Sequence, residues 1–335
     1  MKQYKIAVVG ATGMVGRKFL QVLEERKLPV SEYVLFASAR SAGTTLPFMG
    51  REYPVRELTE TAFNDLHADI ALFSAGAGTS LKYAPIVAAS GAVVIDNSSC
   101  WRMDPAVPLV VPEVNPHAIP GYRNKGIIAN PNCSTIQAMV PLKPLSVKYG
   151  LKRVIYSTYQ AVSGAGMKGY ADLENGLKGE QPAKFPYPIA GNCLPHIDVF
   201  LDNGYTKEEW KMVEETRKIL DLPELPVTAT TVRVPVFHGH SESINVELNT
   251  PFELNDIRTL WEQQEGLVVQ DDPANNLYPM AITAEDTDPV YVGRLRRDFS
   301  VENGINFWCV ADNIRKGAAT NAVQIAQELI RQWEA

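Results

Sequence analysis

The sequence predicts an α/β fold with an N-terminal doubly wound parallel sheet, followed by a second α+β domain. Residues 1–129 alternate short apolar strands with helices, the pattern of a parallel sheet covered on both faces. After Ile127 the strands become longer and alternate in polarity, which is typical of a more antiparallel sheet. A chain of 335 residues has room for two domains, each with its own core.

The elements of the first domain follow from the spacing of its apolar residues. Short β-branched runs predict strands, and apolar positions that recur every three or four residues predict helices. The predicted strands are 5–9, 33–37, 70–74 and 93–96, and the predicted helices are 15–25 and 79–89.

The same reasoning places longer strands in the second domain, at 153–161, 227–235 and 243–248, with helices at 171–177 and 207–220. A last amphipathic helix covers 321–333, and we expect the C-terminal segment 313–335 to pack back onto the first domain. The predicted domains are therefore 1–129 together with 313–335, and 130–312.

Composition excludes several classes of function. The net charge of -6 gives no support to nucleic-acid binding, which calls for a basic face, and 45% hydrophobic with 21% charged residues is the balance of a globular protein. The first apolar run is broken at Gly10, too early for a signal peptide or a membrane span. Four cysteines are scattered without metal-like spacing, so we expect reduced thiols, no metal site and a cytoplasmic location.

A glycine-rich turn joins the first strand to the first helix. Residues 10–16 are Gly-Ala-Thr-Gly-Met-Val-Gly, in which Gly10 permits a tight turn, Gly13 a close approach of backbone to a pyrophosphate, and Gly16 close packing of the helix. The alternative is a turn that needs its glycines for backbone geometry alone. The strand–turn–helix context favours a Rossmann-type dinucleotide site, whose predicted contacts here are Gly10, Thr12, Gly13, Met14 and Val15.

The end of the second strand indicates which cofactor is used. An NAD enzyme usually has an acidic residue there for the ribose hydroxyl, but this chain continues Ala37-Ser38-Ala39-Arg40-Ser41. Arg40 can pair with a 2′-phosphate, and Ser38 and Ser41 flank it. The alternative is a solvated loop arginine. The pattern favours NADP over NAD.

The stretch Asn130-Pro131-Asn132-Cys133-Ser134-Thr135 places a cysteine at the start of a helix. Pro131 disfavours helix for the residue before it, and the helix is predicted over 134–140. A helix N-terminus favours the thiolate, and Asn132 is placed to orient the thiol or to bond an oxyanion. From these residues a reactive thiol and a buried structural cysteine remain equally open for Cys133. The other cysteines have no such setting: Cys100, Cys193 and Cys309.

A thiolate nucleophile needs a partner base, and the sequence offers His238 and His240 between two strands of the second domain. If strand alternation extends over both, their side chains point the same way. The sequence does not show whether either meets Cys133.

Eight motifs together resemble the aspartate-semialdehyde dehydrogenase family over essentially the whole chain. In order, they are G-A-T-G-M-V-G, A-S-A-R-S-A-G, D-N-S-S-C-W-R-M, N-P-N-C-S-T, Y-Q-A-V-S-G-A-G, E-E-W-K, V-R-V-P-V-F-H-G-H-S-E-S and D-N-I-R-K-G-A-A. The resemblance implies NADPH-dependent reductive dephosphorylation of L-4-aspartyl phosphate to L-aspartate 4-semialdehyde, on the route to lysine, threonine, methionine and isoleucine. It also implies a homodimer formed through the second domain, which would then be the catalytic and dimerisation domain.

The resemblance also implies a role for each matched residue. Cys133 is implied as the nucleophile that becomes a thioester, His240 as general acid/base, and Gln160 as the residue that orients the substrate. The implied binding residues are Arg233 for the substrate carboxylate, Arg102 and Lys211 for phosphate, Glu208 for the substrate amino group, Asn132 beside the nucleophile, Ser163 and Gly164 for the nicotinamide, and Asn313 near the cofactor.

Structural roles remain open for the same residues. Arg102 and Arg233 are also typical of ion pairs at strand ends, Glu208 and Lys211 of a solvated helical pair, and Gln160 of a satisfied core amide. Two other enzymes with thioester chemistry fit less well. N-acetyl-glutamyl-phosphate reductase has its cysteine in H-P-G-C-Y, and the glycolytic phosphate-dependent aldehyde dehydrogenase in S-C-T-T-N. A silent NADP-binding protein has no need of both Cys133 and His240.

Overall fold

The computed structural model describes residues 2–335, which form two compact units. The first unit runs to Pro131 and is completed by Ala318–Ala335, and the second is Asn132–Gly317. No helix among residues 2–335 is both long and apolar enough to span a bilayer.

Within the first unit, the strands form one seven-stranded sheet in the order β3-β4-β2-β1-β5-β6-β7. These strands are β1 (Tyr4–Val9), β2 (Val30–Ala37), β3 (Thr45–Phe48), β4 (Arg51–Glu57), β5 (Ile70–Phe73), β6 (Val93–Asp96) and β7 (Ile127–Ala129). All neighbouring pairs are parallel except β3 with β4. The order reverses at β1, and in open α/β sheets ligands bind at the carboxyl ends of the strands beside such a switch point.

The β3–β4 hairpin is the main element that the sequence did not predict in this unit. Pro47 and Pro54 argue against strands because proline cannot donate to a ladder. The structure accommodates Pro47 on the edge strand β3. It accommodates Pro54 because β4 pairs with β2 only from Val55 onward.

Helices α1 (Met14–Arg26) and α2 (Ala77–Ala89) and the C-terminal helix Thr320–Glu334 pack on this sheet. Leu23 of α1 and Leu329 of the C-terminal helix are fully buried in the same cluster as Ile6 of β1. The C-terminal segment therefore contributes to the hydrophobic core of the first unit, next to β1.

The second unit is built on a six-stranded mixed sheet in the order β11-β12-β13-β10-β8-β9. Its strands are β8 (Leu151–Gln160), β9 (Val227–Arg233), β10 (His240–Leu248), β11 (Leu267–Val269), β12 (Val290–Asp298) and β13 (Gly304–Ala311). The three central pairings are antiparallel and the two outer ones parallel, which agrees with the more antiparallel sheet that was predicted.

The helices of this unit are α3 (Cys133–Tyr149), α4 (Gly166–Gly176), α5 (Lys207–Leu220), α6 (Leu254–Glu262) and α7 (Ala281–Ala284). Helix α3 packs across β8, β10 and β13 and is buried almost all round. It continues nine residues beyond the predicted end at Val140, through Pro141 and Pro144. Helix-interior prolines cost several kcal/mol in isolation, so tertiary packing rather than local propensity maintains the second half of α3.

Candidate active site

Of the three glycines in the turn after β1, two are required by the backbone geometry of the turn and one is not. Gly10 has φ +84°, and a Cβ there would lie 2.3 Å from the Ser74 carbonyl oxygen. A Cβ on Gly16 would lie 2.0 Å from the carbonyl oxygen of Gly10, so close packing against the turn requires that glycine. Gly13 has no such need, since its nearest neighbour would be 3.4 Å away and its φ is -73°. Its missing side chain leaves space over the uncapped N-terminus of α1, as a pyrophosphate requires.

The loop after β2 exposes a free cation. Ser38 and Arg40 are exposed, and the Ser38 carbonyl oxygen accepts bonds from the N–H groups of Ser41 and Ala42, which makes a turn. Among the described residues, the Arg40 guanidinium has no hydrogen-bond or ion-pair partner. This loop fits a 2′-phosphate at the carboxyl end of the sheet.

Cys133 is the first residue of α3, as the sequence predicts. Asn132 caps the helix: its Oδ1 accepts from the N–H groups of Ser134 (3.0 Å) and Thr135 (3.3 Å). These two N–H groups are therefore already bonded to the cap. The Asn132 side chain therefore caps the helix that Cys133 begins.

A network of side chains on α5 holds Asn132 in place. The Asn132 N–H donates to Glu215 (2.6 Å), and its Nδ2 donates to Glu208 Oε1 (2.9 Å). Gln160 Nε2 donates to the same Oε1 (3.1 Å), while Lys211 donates to Glu208 Oε2 (2.9 Å). Four of the predicted site residues, Asn132, Gln160, Glu208 and Lys211, thus form one bonded cluster.

Charge balance within this cluster keeps Glu208 ionised. Burial raises the pKa of Glu208, but the Lys211 charge and the hydrogen bonds from Asn132, Lys211 and Gln160 outweigh it and lower that pKa to about 2. Lys211 also donates to Asp198 at 2.8 Å. Burial lowers the pKa of Lys211, and the two carboxylates outweigh burial and raise it. Glu208 is buried and Lys211 is 18% exposed, so the two form a largely buried ion pair and not the solvated pair of the alternative interpretation.

His240 is fully buried at the first position of β10. Its Nδ1 accepts from the Ala161 N–H (3.0 Å), so the proton of the neutral ring is on Nε2. Burial and the Arg233 charge lower the pKa of His240 to about 3, despite the opposing effect of Glu208. The site therefore contains a neutral imidazole with an Nε2–H.

His238 is set apart from His240, contrary to the alternation considered from the sequence. Gly239 lies between them with φ +81°, and β10 begins only at His240. The His238 side chain is 26% exposed and its Nε2 lies 3.7 Å from Glu285. The strand therefore directs His240 alone of the two into the interior.

Arg233, the last residue of β9, is a buried cation without a carboxylate partner among residues 2–335. Its Nη1 donates to the Ala161 carbonyl oxygen (2.6 Å), and its Nε has no partner. Burial lowers its pKa, while Glu208 and Cys133 raise it, so Arg233 lies within electrostatic range of both. A buried guanidinium with an unused N–H is a site for an anionic ligand.

Two glycines make room around these groups. A Cβ on Gly164 would lie 2.9 Å from Arg233 Nη1 and 3.2 Å from His240 Nε2. A Cβ on Gly317 would lie 2.9 Å from the Cβ of Cys133. Any larger residue at either position would displace a side chain proposed for the chemistry.

Ser163 and Asn313 are bonded to each other, and Asn313 is also bonded to the backbone next to His240. Asn313 Nδ2 donates to Ser163 Oγ (3.1 Å), and Asn313 Oδ1 accepts from the N–H of Gly239 (3.0 Å). Asn313 thus fixes the backbone immediately before His240.

Two sequence models of protein families match the chain: the semialdehyde dehydrogenase NAD binding domain over residues 5–122, and the semialdehyde dehydrogenase dimerisation domain over residues 142–316. The aspartate-semialdehyde dehydrogenase of Aquifex aeolicus is 57% identical over 337 residues, which cover 98% of each chain. The chain belongs to the aspartate-semialdehyde dehydrogenase family. The family, and the aspartate-semialdehyde dehydrogenase activity that goes with it, are thereby confirmed.

Solved structures of aspartate-semialdehyde dehydrogenases have the same fold. That of aspartate semialdehyde dehydrogenase II from Vibrio cholerae, complexed with ASA, has a TM-score of 0.95 and 48% identity and covers 99% of both chains. The enzyme from Candida albicans with NADP has a TM-score of 0.79 and 27% identity and covers 98% of both. The predicted fold class, a Rossmann-type parallel sheet with a second α+β domain, is confirmed.

Arg102 belongs to the first unit. It is buried, and its Nε and Nη2 donate to the carbonyl oxygens of Asn130 and Asn97.

The sequence analysis missed Glu215, which accepts a hydrogen bond from the Asn132 backbone N–H. A signal was available: Glu208, Lys211 and Glu215 are three and four apart on one helix, so they share a face.

Residues 2–335 contain no group of three or more His, Cys, Asp or Glu side chains arranged to hold a metal ion. The four cysteines are free thiols.

Proposed function

We propose that this enzyme reduces L-4-aspartyl phosphate to L-aspartate 4-semialdehyde and phosphate through a thioester on Cys133, with NADPH as the cofactor. The observation that carries the proposal is the buried, unpaired Arg233 beside His240, in electrostatic range of Cys133. A substrate carboxylate satisfies that guanidinium by a two-point contact and brings its own acyl carbon to a nucleophile at a helix start.

The proposed reaction has two stages, formation of a thioester on Cys133 and its reduction to the aldehyde. The Cys133 thiolate attacks the acyl carbon, the bond from that carbon to the phosphate oxygen breaks, and phosphate leaves. The nicotinamide cofactor, when bound, supplies the hydride that reduces the thioester. The carbon–sulfur bond then breaks, which releases the aldehyde and restores the thiolate. We assign the departing phosphate to Arg102 and Lys211, and the substrate ammonium to the ionised Glu208.

The tautomer of His240 defines its part in this sequence. Because Nδ1 accepts from the Ala161 N–H, Nε2 carries a proton and donates to the oxyanion that develops on the acyl carbon. The helix-start N–H groups of Ser134 and Thr135 are unavailable for that task. Gln160, fixed by Thr158 and Glu208, orients the substrate beside it.

Three observations support NADP over NAD. Arg40 is exposed and unpaired, no acidic residue follows β2, and the Candida albicans relative is a complex with NADP. We assign the phosphates to the turn Gly10–Val15 and the 2′-phosphate to Arg40, Ser38 and Ser41. We assign the nicotinamide to Ser163 and Gly164, with Asn313 supporting Ser163.

Arg40→Ala is expected to weaken NADP binding selectively. Loss of a charge-assisted hydrogen bond costs about 1.5–3 kcal/mol, so we expect the Kd for NADP to rise about 10- to 150-fold and that for NAD to stay within about twofold. Isothermal titration calorimetry with NADP and with NAD measures both constants. Arg51→Ala is the control, because it removes the same charge at the amino end of β4, whereas Arg40 follows the carboxyl end of the parallel strand β2. Equal weakening of NAD and NADP would show that Arg40 does not read the 2′-phosphate.

The reverse reaction gives the direct assay of the whole activity. We expect aspartate semialdehyde to reduce NADP in steady state only when inorganic phosphate is present, because phosphate must release the acyl group from Cys133. NADPH absorbance follows the rate. Sustained turnover at the same rate without phosphate would mean that water, and not phosphate, resolves the acyl enzyme.

We propose a homodimer formed through the uncovered face of the six-stranded sheet. The match to a dimerisation domain covers this unit. On that face, Tyr159 is 40% exposed and packs against Trp308, and both line a cavity of about 610 Å³ with Met280 and Arg296.

A cytoplasmic location suits the proposed chemistry, since Cys133 must remain a reduced thiol.

A further inference from the structure

Glu242 is a buried carboxyl that the proposed reaction does not use. It is fully buried on β10, in the same inward-facing row as His240 and the apolar Ile244. Neither carboxyl oxygen has a hydrogen-bond partner, and no cation among residues 2–335 pairs with it. An ionised carboxylate in such surroundings is very unfavourable, and the group is more stable when it keeps its proton.

The first turns of α3 supply the side chains that face it, Ser134 and Gln137. Two of their atoms, Ser134 Oγ and Gln137 Oε1, are also buried and unpartnered. The orientation of Gln137 is fixed because its Nε2 donates to the carbonyl oxygen of His240 (3.3 Å). With Nε2 bonded in this way, the Gln137 group left without a partner among residues 2–335 is the acceptor Oε1, and Ser134 contributes a hydroxyl.

We propose that Glu242 is an uncharged carboxylic acid that joins the strand of His240 to the helix start of Cys133, and so acts as a positioning residue. Its O–H donates to Gln137 Oε1, and its carbonyl oxygen accepts from Ser134 Oγ–H. An ionised carboxylate has no proton for Gln137 and leaves that acceptor unsatisfied. The protonated form pairs all three unpartnered groups at once.

The titratable groups around Glu242 provide no positive charge that would stabilise its ionised form. On the neighbouring strands the facing titratable groups are the Cys309 thiol of β13 and the Tyr156 hydroxyl of β8. Burial raises the pKa of both, so neither is charged near neutral pH. Burial likewise raises the pKa of Glu242 well above its usual range.

The first test is the pH dependence of stability for Glu242→Gln, which reproduces the donor and acceptor of the protonated acid. Between the ordinary pKa of a glutamate and the raised one, the native protein holds a proton that the unfolded chain has released. Stability of the wild type therefore falls as pH rises through that window. We expect the melting temperature of Glu242→Gln to match the wild type near pH 4.5 and to exceed it by a growing margin toward about pH 8. A constant or shrinking margin would overturn the proposal.

The second test concerns Cys133 and rests on its proposed role as the nucleophile. We expect Glu242→Gln to leave the pH at which iodoacetamide alkylates Cys133, followed by peptide mass, within about 0.3 units, because no charge is removed. Glu242→Met keeps the volume but cannot bond Ser134 or Gln137. It should lower kcat about tenfold or more with KM for NADP unchanged, and Glu242→Gln should restore kcat.

The outcomes separate the two proposals. A shift of the alkylation midpoint by about one unit in Glu242→Gln would show a charged carboxylate and overturn the inference. Inactive wild-type enzyme with an intact stability margin would overturn the proposed function but not the charge state. If Glu242→Met does not fold, the stability margin of Glu242→Gln decides the question.

Discussion

Cys133→Ala is expected to reduce phosphate-dependent turnover on the order of 10⁴-fold, because the acyl group then has no sulfur on which to form a thioester. Ala keeps the Cβ that packs against Gly317, so the helix start is unchanged. We therefore expect the Kd for NADP, whose proposed phosphate contacts lie in the first unit, to stay within about twofold. Steady-state NADPH formation and cofactor titration measure the two quantities.

Two further variants make this result specific. Cys133→Ser keeps a side chain of similar shape but a far weaker nucleophile, and it should be nearly as inactive as the alanine variant. Cys193→Ala removes an exposed thiol elsewhere in the second unit and should retain turnover. Substantial activity in Cys133→Ser would point to electrostatic or positional catalysis instead of a covalent intermediate.

His240→Asn is expected to lower kcat about 10²- to 10⁴-fold, with KM much less affected. The shorter amide still reaches the Ala161 N–H that bonds Nδ1, but it places no N–H where Nε2 lies. The variant therefore removes the oxyanion donor and keeps the local backbone. His238→Asn, in the partly exposed neighbour, is the matched control and should keep wild-type kinetics.

The pH profile adds a second readout for His240. Because burial and Arg233 lower its pKa to about 3, the free enzyme holds a neutral imidazole throughout pH 5–8. Protonation would set in only as pH falls toward 3, so kcat/KM should show no acidic limb from His240 near the usual histidine pKa of about 6.5. A limb near pH 6.5 that disappears in His240→Asn would contradict the neutral ground state.

The first unit was readable from the sequence because its strands are short, apolar and separated by amphipathic helices. Strand β6 and helix α5 have the predicted bounds. The β3–β4 hairpin was missed because two prolines oppose strand pairing, and only the edge position of β3 and the short pairing of β4 with β2 accommodate them. The length of α3 was missed for a related reason. Pro141 and Pro144 end a helix by local rules, whereas packing against the sheet sustains it.

For the site, the sequence identified residue types but not their partners. Helix-start logic placed Cys133 correctly, since the Asn132 cap is a local feature. The bonds of Glu208 to Asn132 and Gln160 join residues far apart in sequence, so no local pattern reveals them. The tautomer of His240 depends on the Ala161 N–H, 79 positions away. Local rules therefore predict the helix start at which the proposed nucleophile lies, and tertiary contacts determine the hydrogen bonds of the side chains around it.

The central claim is that the acyl group resides on Cys133. Mixing the enzyme with aspartate semialdehyde and NADP in the absence of phosphate, followed by an acid quench and peptide mass analysis, tests it directly. The account predicts a burst of one NADPH per active site and an aspartyl adduct on the peptide that carries Cys133, which disappears when phosphate is added before the quench. An NADPH burst with no adduct on that peptide, or with the adduct on another residue, would contradict it.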